Sequence, residues 1–157
     1  MKMNYYRLKQ NEVGMPYLEK QTDTYSVDKR TCFDNTEKIF KFCKANGLCD
    51  LAEEHVFGMY CNSNLNLIAL SEISHGTINT SMFGIREIIQ RALLFGSPEL
   101  ILIHNHPSGN LNPSQKDIAV TKKIDTACQA MGLSLAAHVI LGKTKCRKIW
   151  KENRYEF

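Results

Sequence analysis

The chain has 157 residues and a mass of 17.9 kDa, enough for one ordinary domain that buries roughly two-thirds of the surface its unfolded form exposes. Hydrophobic residues make up 43% and charged residues 23%, a balance that excludes a disordered or fibrous chain. The net charge of +4 is a mild excess, which excludes the concentrated basic face of a dedicated nucleic-acid-binding domain.

Residues 1 to 33 are polar and show no sustained hydrophobic period, with Gly14 and Pro16 interrupting the pattern. The segments YYRL and TYSV are each compatible with a short strand. We predict that this region is an N-terminal arm, followed by a single domain over residues 34 to 157.

Targeting and redox features point to the cytoplasm. The N-terminus has no apolar core of a signal peptide, and no apolar run approaches the roughly 20 residues that span a bilayer. The six cysteines include no CxxC pair, and none is flanked by residues that would activate a nucleophile. We expect a soluble cytoplasmic protein with free, mostly buried thiols and no contact with a membrane.

The segment from residue 34 to residue 96 predicts a helix, a hairpin and a second helix. DNTEKIFKFCKANG has Asp34 as a plausible N-cap and Gly47 at its end. HVFGMYC and LIALSEISHG, joined by the turn NSNLN, predict a β-hairpin whose first strand is covered on both faces. TSMFGIREIIQRALLFG then predicts an amphipathic helix that crosses the sheet and ends at Gly96.

The remaining segments complete a mixed sheet. ELILIH predicts a central strand, and SQKDIAVTKKIDTACQAMG predicts a helix with Ser114 as its N-cap and Asp117 in its first turn. LSLAAHVILG and CRKIW predict a closing pair of strands. Strands interspersed with helices indicate an α/β fold.

The stretch ILIHNHPSGNLNPSQKD predicts a metal site. His104 and His106 share one face if the chain is extended, as it is at a strand end. Asp117 lies where the loop returns and supplies a third ligand. Three protein ligands leave one position for water, whose pKa a zinc ion lowers to about 7. Ser114 is near enough in sequence to donate to an oxyanion.

An ordinary helix start explains part of this pattern. Ser114 and Asp117 have the spacing of a capping pair, and an acidic residue in a first turn favours the helix dipole. Capping alone does not require two histidines at the end of an apolar strand. The combined pattern therefore favours metal binding.

The spacing of these residues, HxH-x7-SxxD, resembles the motif of the JAMM (JAB/MPN) metalloproteases, and HNHPSGNLNPSQKD is similar to the bacterial RadC group. The resemblance runs from about Asp34 to the C-terminus. It implies a JAB/MPN-like (cytidine-deaminase-like) α/β fold, a mixed β-sheet flanked by helices in a single domain. It also implies that His104, His106 and Asp117 hold Zn2+ and that Ser114 supports the oxyanion.

The resemblance further implies a glutamate at a strand edge that acts as general base. Glu53 and Glu54 both precede HVFGMYC, and Glu54 occupies the matching place. RadC proteins typically carry a helix-hairpin-helix region before this domain. Residues 1 to 50 lack its Gly-containing hairpin repeats, so no DNA contact by that route is expected.

Two functions remain open from the sequence. The first is a zinc-dependent metallohydrolase, a metalloprotease or isopeptidase, that acts on a protein or peptide substrate. The alternative is a non-catalytic DNA-repair-associated module that contacts DNA or protein, with weak nucleic-acid association. Exposed strand edges are also compatible with a homodimer.

The other histidines have simpler interpretations. His138 lies in an apolar strand and is predicted to be a hydrogen-bonded core residue rather than a fourth ligand. His55 and His75 are predicted to be surface and turn residues. Arg86 and Glu87 are expected to form a local ion pair at the start of their helix.

Overall fold

The structure is a computed structural model that describes residues 1–76 and 84–150. In these ranges the strands are β1 Lys2–Gln10, β2 Pro16–Ser26, β3 His55–Cys61, β4 Leu67–His75, β5 Glu99–Asn105, β6 Ser134–Leu141 and β7 Cys146–Trp150. The helices are α1 Thr36–Ala45, α2 Ile85–Phe95 and α3 Gln115–Ala130, with a short 3-10 helix at Leu48–Asp50.

The central sheet has five strands in the order β4-β3-β5-β6-β7. β5 and β6 run parallel, and the other neighbours are antiparallel. The connection from β5 to β6 is α3, as a parallel pair requires a crossover. The predicted mixed α/β sheet, hairpin and central strand are therefore confirmed.

Helices cover both faces of the sheet, which explains why β5 is apolar at the four positions before its histidine, Leu100 to Ile103. Leu100 and Leu102 pack against α2 and α3 on one face. Ile101 and Ile103 pack on the other face with residues of α1. A strand that is buried on both sides reads as a continuous hydrophobic run rather than an alternating one.

The first helix begins one residue later than the sequence suggests. Its N-cap is Asn35, not Asp34, and the Asn35 side chain accepts from the backbone N–H of Lys38 at 3.0 Å. Asp34 instead forms an ion pair with Lys38 at 2.6 Å. Asp34 and Asn35 can both cap the helix. Because Asn35 is the N-cap, the Asp34 carboxylate is available to pair with Lys38.

Residues 1–26 form an antiparallel hairpin, β1 with β2, that lies against the edge strand β4. Tyr25 is only 1% exposed and accepts from the buried backbone N–H of Leu70 at 3.1 Å. Ser71 donates to the backbone carbonyl of Tyr6 at 2.9 Å. The segment predicted as an arm thus contributes side chains to the core, and its division from a domain at residues 34 to 157 stays a prediction.

All six cysteines are free, and four of them are buried, as predicted. Within residues 1–76 and 84–150, no helix has the length and apolar character needed to cross a membrane. The TSMF segment, predicted as the start of the second helix, lies outside the described residues.

Candidate metal centre

His104 and His106 lie at the carboxyl end of β5, as predicted. Adjacent strand residues alternate between faces, so both histidines point to the α2 and α3 side together with Leu102. His104 is 2% exposed, and the two ring centroids are 4.5 Å apart at an angle of 87°. The two imidazoles are therefore positioned at the edge of the sheet to bind one metal ion together.

The loop after His106 determines which of its ring nitrogens is available. His106 Nδ1 contacts the backbone carbonyl of Asn110. A carbonyl oxygen only accepts, so Nδ1 carries the proton and Nε2 keeps its lone pair for a metal. The turn that brings Asn110 back contains Gly109 at φ 80°, a conformation that glycine adopts without steric cost.

Asp117 is held in the first turn of α3 by a reciprocal capping box. Ser114 Oγ accepts from the Asp117 N–H at 3.1 Å, and Asp117 Oδ2 accepts from the Ser114 N–H at 2.7 Å. Its other oxygen, Oδ1, lies 3.6 Å from Nδ1 of His104. The helix cap and the candidate ligand are therefore one arrangement, because capping uses one carboxylate oxygen and aims the other at the imidazole.

Glu54 reaches the same place from the neighbouring strand. Val56 of β3 lies opposite His104 of β5 in the antiparallel register, so Glu54 comes opposite His106 when the register is extended by two residues. Glu54 Oε2 is 4.0 Å from Nε2 of His104, and its side chain is 40% exposed. A cavity of about 450 Å3 lies beside Glu54, lined also by Gly76 and Pro107.

The distances fit a divalent ion. Ligand atoms of Glu54, His104 and His106 all lie within 4.8 Å of one another. Ligand bonds of about 2.0–2.2 Å around a tetrahedral zinc place neighbouring donor atoms about 3.3 Å apart, so small side-chain movements bring these atoms to an ion. Asp117 approaches His104 through Nδ1, whereas Glu54 approaches it through Nε2. Sequence reasoning treated Asp117 as the third ligand, and that assignment stays a prediction.

Burial sets the protonation of this cluster. Burial lowers the pKa of His104, the neighbouring His106 adds to the lowering and Asp117 opposes it, so that this pKa falls to about 4. Burial acts to raise the pKa of Asp117, but hydrogen bonds from Ser114 and the nearby imidazoles outweigh it and leave that pKa below its ordinary value. Near neutral pH His104 is therefore neutral and Asp117 is ionised, which are the forms that bind metal.

Asn105 is a site residue that the sequence interpretation missed. Its side chain is 3% exposed and points away from the two histidines. Asn105 Oδ1 accepts from the His55 N–H at 2.6 Å, and Nδ2 donates to the Glu53 carbonyl at 2.9 Å. The two bonds hold the backbone on both sides of Glu54. The signal was present, because a polar residue between two same-face histidines must be buried on the opposite face and needs partners.

His138 is a hydrogen-bonded core residue, as predicted. It is fully buried, and its Nδ1 lies 2.7 Å from Thr121 Oγ1. The Thr121 hydroxyl donates to the Asp117 carbonyl, so the imidazole must donate in turn and carries its proton on Nδ1. Burial lowers the pKa of His138 to about 3, with a smaller contribution from His104. This chain of bonds ties β6 to the first turn of α3.

The predictions for His75 and His55 have different outcomes. His75 is 54% exposed, as expected of a turn residue, although it ends strand β4. His55 is not a surface residue, since its side chain is only 14% exposed and pairs with Glu72. The position of His55 at the start of β3 does not reveal that the β1–β2 hairpin lies over this part of the sheet. Arg86 and Glu87 form the predicted ion pair at 3.0 Å.

The fold and the site define a JAB/MPN-like α/β domain with a candidate metal centre at the end of β5. The chain belongs to the RadC-like JAB domain family, whose model matches residues 33–154.

Several relatives carry the name UPF0758 protein. One from Legionella pneumophila (strain Corby) is 33% identical over 135 residues, which cover 86% of this chain and 59% of the relative. One from Finegoldia magna is 36% identical over 124 residues, covering 79% of this chain and 52% of the relative. One from Streptococcus agalactiae serotype III is 39% identical over 132 residues, covering 84% and 58%. This chain spans little more than half the length of these relatives, and their name states no activity.

Proposed function

We propose that this chain is a zinc-dependent metallohydrolase that hydrolyses an amide bond in a protein or peptide. The observation that carries the proposal is the convergence of two imidazoles and two carboxylates, from three separate backbone elements, at one end of the sheet. Imidazole and carboxylate donors together suit zinc better than Mg2+ or Ca2+, which prefer oxygen ligands alone. When bound, zinc lowers the pKa of a coordinated water to about 7 and polarises a carbonyl oxygen.

The two carboxylates differ in ways that support separate roles. Asp117 is 5% exposed and has one oxygen engaged in the capping box, so it is a fixed group suited to ligation. Glu54 is partly exposed and lines a cavity, and its backbone carbonyl accepts from the Gly76 N–H at 2.8 Å. An accessible carboxylate is suited to take up a proton and release it to a leaving amine. We therefore assign His104, His106 and Asp117 as ligands and Glu54 as the general base.

Ser114 is suited to contact the substrate. Its side-chain oxygen accepts from the Asp117 N–H, which leaves the hydroxyl proton available, and the residue is exposed at the helix start. A hydroxyl donor at that place would stabilise negative charge on a carbonyl oxygen as the amide is attacked. The free thiols support action in a reducing cytoplasm.

The test separates ligand from base. Zinc-loaded wild type and Glu54→Gln are compared on a peptide library, and bound zinc is measured for both and for Asp117→Asn. We expect Glu54→Gln to keep its zinc and to lose about 10²- to 10⁴-fold in rate, because proton transfer is removed. Asp117→Asn should lose zinc at this centre.

The exposed Glu12→Gln on the β1–β2 turn is the matched control and should leave both zinc content and rate unchanged. Undiminished cleavage by Glu54→Gln contradicts the assigned base. If Glu54→Gln loses zinc while Asp117→Asn keeps it, Glu54 is the ligand and Asp117 is not. Absence of zinc from the wild type contradicts the proposal as a whole.

The alternative, a non-catalytic module that contacts DNA or protein, predicts a different result. DNA binding that falls steeply with added salt and survives Asp117→Asn would support it. Peptide cleavage that depends on Glu54 would exclude it.

A further inference from the structure

We infer a second zinc site on the opposite face of the sheet, formed by His55, Glu72 and His75. We call these three residues the second cluster. One ligand atom from each lies within 4.8 Å of the other two. This inference concerns metal binding alone and does not depend on hydrolysis at the first centre.

The two histidines are a directly opposed cross-strand pair. His55 of β3 and His75 of β4 are register partners, and their rings stack with centroids 4.1 Å apart and planes 11° apart. Val56 packs in the core with α2 and α3, so the neighbouring His55 points to the other face, toward the hairpin. The second cluster is therefore separated from the first centre by the sheet itself.

An irregularity in β4 brings the carboxylate to the same place. His75 and Glu72 are three residues apart, and in a regular strand they would point to opposite faces. The register shifts between Val56 and Phe57, where β4 contributes one extra residue, and this bulge turns Glu72 to the face of His75. Glu72 Oε1 lies 2.6 Å from His55 Nδ1.

Glu53 supplies a further oxygen at the outer side, since its carboxylate contacts His75 Nε2. Two imidazoles with one or two carboxylates match zinc, and such a set disfavours Mg2+ and Ca2+. To share one ion, Glu72 Oε1 and His55 Nδ1 must move from their present separation of 2.6 Å to about 3.3 Å. A small rotation of the Glu72 side chain provides this movement. A cavity of about 450 Å3, lined by His55 and Glu72 on one side and by Arg7 and Asp23 of the hairpin on the other, gives access.

The position of the second cluster suggests what a bound ion would do. His75 precedes Gly76, whose N–H donates to the Glu54 carbonyl at 2.8 Å. An ion that joins the start of β3 to the end of β4 would hold the backbone that carries Glu54. Its role would be structural, with the ligands supplied from both strands.

Metal content tests this inference. Metal-free wild type is dialysed against zinc, and bound zinc is measured by elemental analysis after removal of the free ion. We expect two equivalents in the wild type, one in His75→Ala, one in His106→Ala and none at stoichiometric level in the double variant. Glu72→Gln, which keeps the size of the side chain, should weaken the same equivalent as His75→Ala.

Thermal unfolding of a variant that lacks the first centre gives a second readout. Zinc should raise the melting temperature of His106→Ala, which keeps only the second cluster, and should not raise that of the double variant. Glu12→Gln is the control for loss of an exposed carboxylate and should keep both equivalents. A single wild-type equivalent that His75→Ala retains and His106→Ala loses, or two equivalents retained in His75→Ala, would overturn the inference and leave the proposed hydrolase unaffected.

Discussion

Under the proposed function the Ser114 hydroxyl has two roles, and substitutions can separate them. As an N-cap it stabilises α3, and replacing such a serine with alanine costs about 0.5–2 kcal/mol, whereas glycine costs only a few tenths. Both substitutions remove the hydroxyl donor. We predict that Ser114→Gly lowers the rate of peptide cleavage about 10²-fold while the free energy of unfolding stays close to that of the wild type.

Urea denaturation and steady-state kinetics on the same samples check this prediction. Ser114→Ala should show the lower rate and the lower stability together. If Ser114→Gly cleaves at the rate of the wild type, the serine serves α3 alone, and the oxyanion role is wrong.

His138 makes the stability of the metal-free protein depend on pH. An unfolded histidine has a pKa of about 6.5, whereas burial lowers the pKa of folded His138 to about 3. Below pH 6.5 the unfolded chain therefore takes up a proton that the folded chain does not. The free energy of unfolding should fall as pH decreases from about 6.5, by up to about 1.4 kcal/mol per pH unit for this residue. The neighbouring His104 contributes with the same sign, because its pKa is also lowered.

Urea titrations of metal-free protein at several pH values between about 7 and 5 measure this slope. His138→Asn should give a flatter dependence. Thr121→Val removes the partner of His138 Nδ1 but keeps the imidazole, so it should lower stability while retaining the slope. An unchanged slope in His138→Asn would show that His138 is not the responsible group.

At the scale of elements, the candidate metal centre lies where three segment ends meet. β5 ends at Asn105, α3 begins after Ser114, and β3 begins at His55 beside the end of β5 because the two strands are antiparallel. The HxH and SxxD spacings identify the first two ends from sequence, since alternation along a strand and capping of a helix are local rules. Glu54 was assigned through resemblance, and strand pairing explains why it lies there.

Features that depend on contacts between distant segments could not be read in the same way. The link from Asn105 to Glu53 joins residues 52 positions apart, and the pairing of His55 with Glu72 depends on a bulge in β4. Local hydrophobic pattern contains neither the register of a strand pair nor the position of a bulge. The partial burial of His55 was missed for the same reason.

Asn105 provides a test of how β5 positions the start of β3. Asn105→Ala would leave the His55 N–H and the Glu53 carbonyl without their present partner, at a cost of about 1–3 kcal/mol. We predict a lower kcat with unchanged zinc at the first centre, because Glu54 moves while the ligands on β5 and α3 stay.

Asn62→Ala is the matched control for Asn105→Ala. Asn62 also bonds backbone N–H groups through its side chain, at 3.0 Å to both Asn64 and Asn66, but in a turn at the opposite end of β3. It should lower stability without lowering kcat. Equal losses of kcat in the two variants would mean that Asn105 acts only through general stability.

At the scale of the whole molecule, the hairpin β1–β2 raises the question of where the folding unit begins. The family model begins at residue 33, after the hairpin, and polar composition suggested a separate arm. Yet Tyr25 packs edge-to-face on Phe42 of α1 with centroids 5.9 Å apart, and its hydroxyl accepts from the N–H of Leu70. One face of the central sheet is thus completed by residues from outside the matched region.

Replacement of Tyr25 decides whether the hairpin and the sheet unfold together. If they form one cooperative unit, Tyr25→Ala should lower the free energy of unfolding by about 3–5 kcal/mol, as loss of a large buried aromatic side chain does. Tyr17→Ala, on the same hairpin but 42% exposed, should change it by no more than about 0.5 kcal/mol. Unfolding of α3 and the sheet in urea should be monitored with a probe remote from the hairpin, such as the fluorescence of Trp150 in β7. A Trp150 transition that is unmoved by Tyr25→Ala would show that residues 1 to 33 are an independent arm, because a cooperative core cannot lose such a side chain without unfolding more easily.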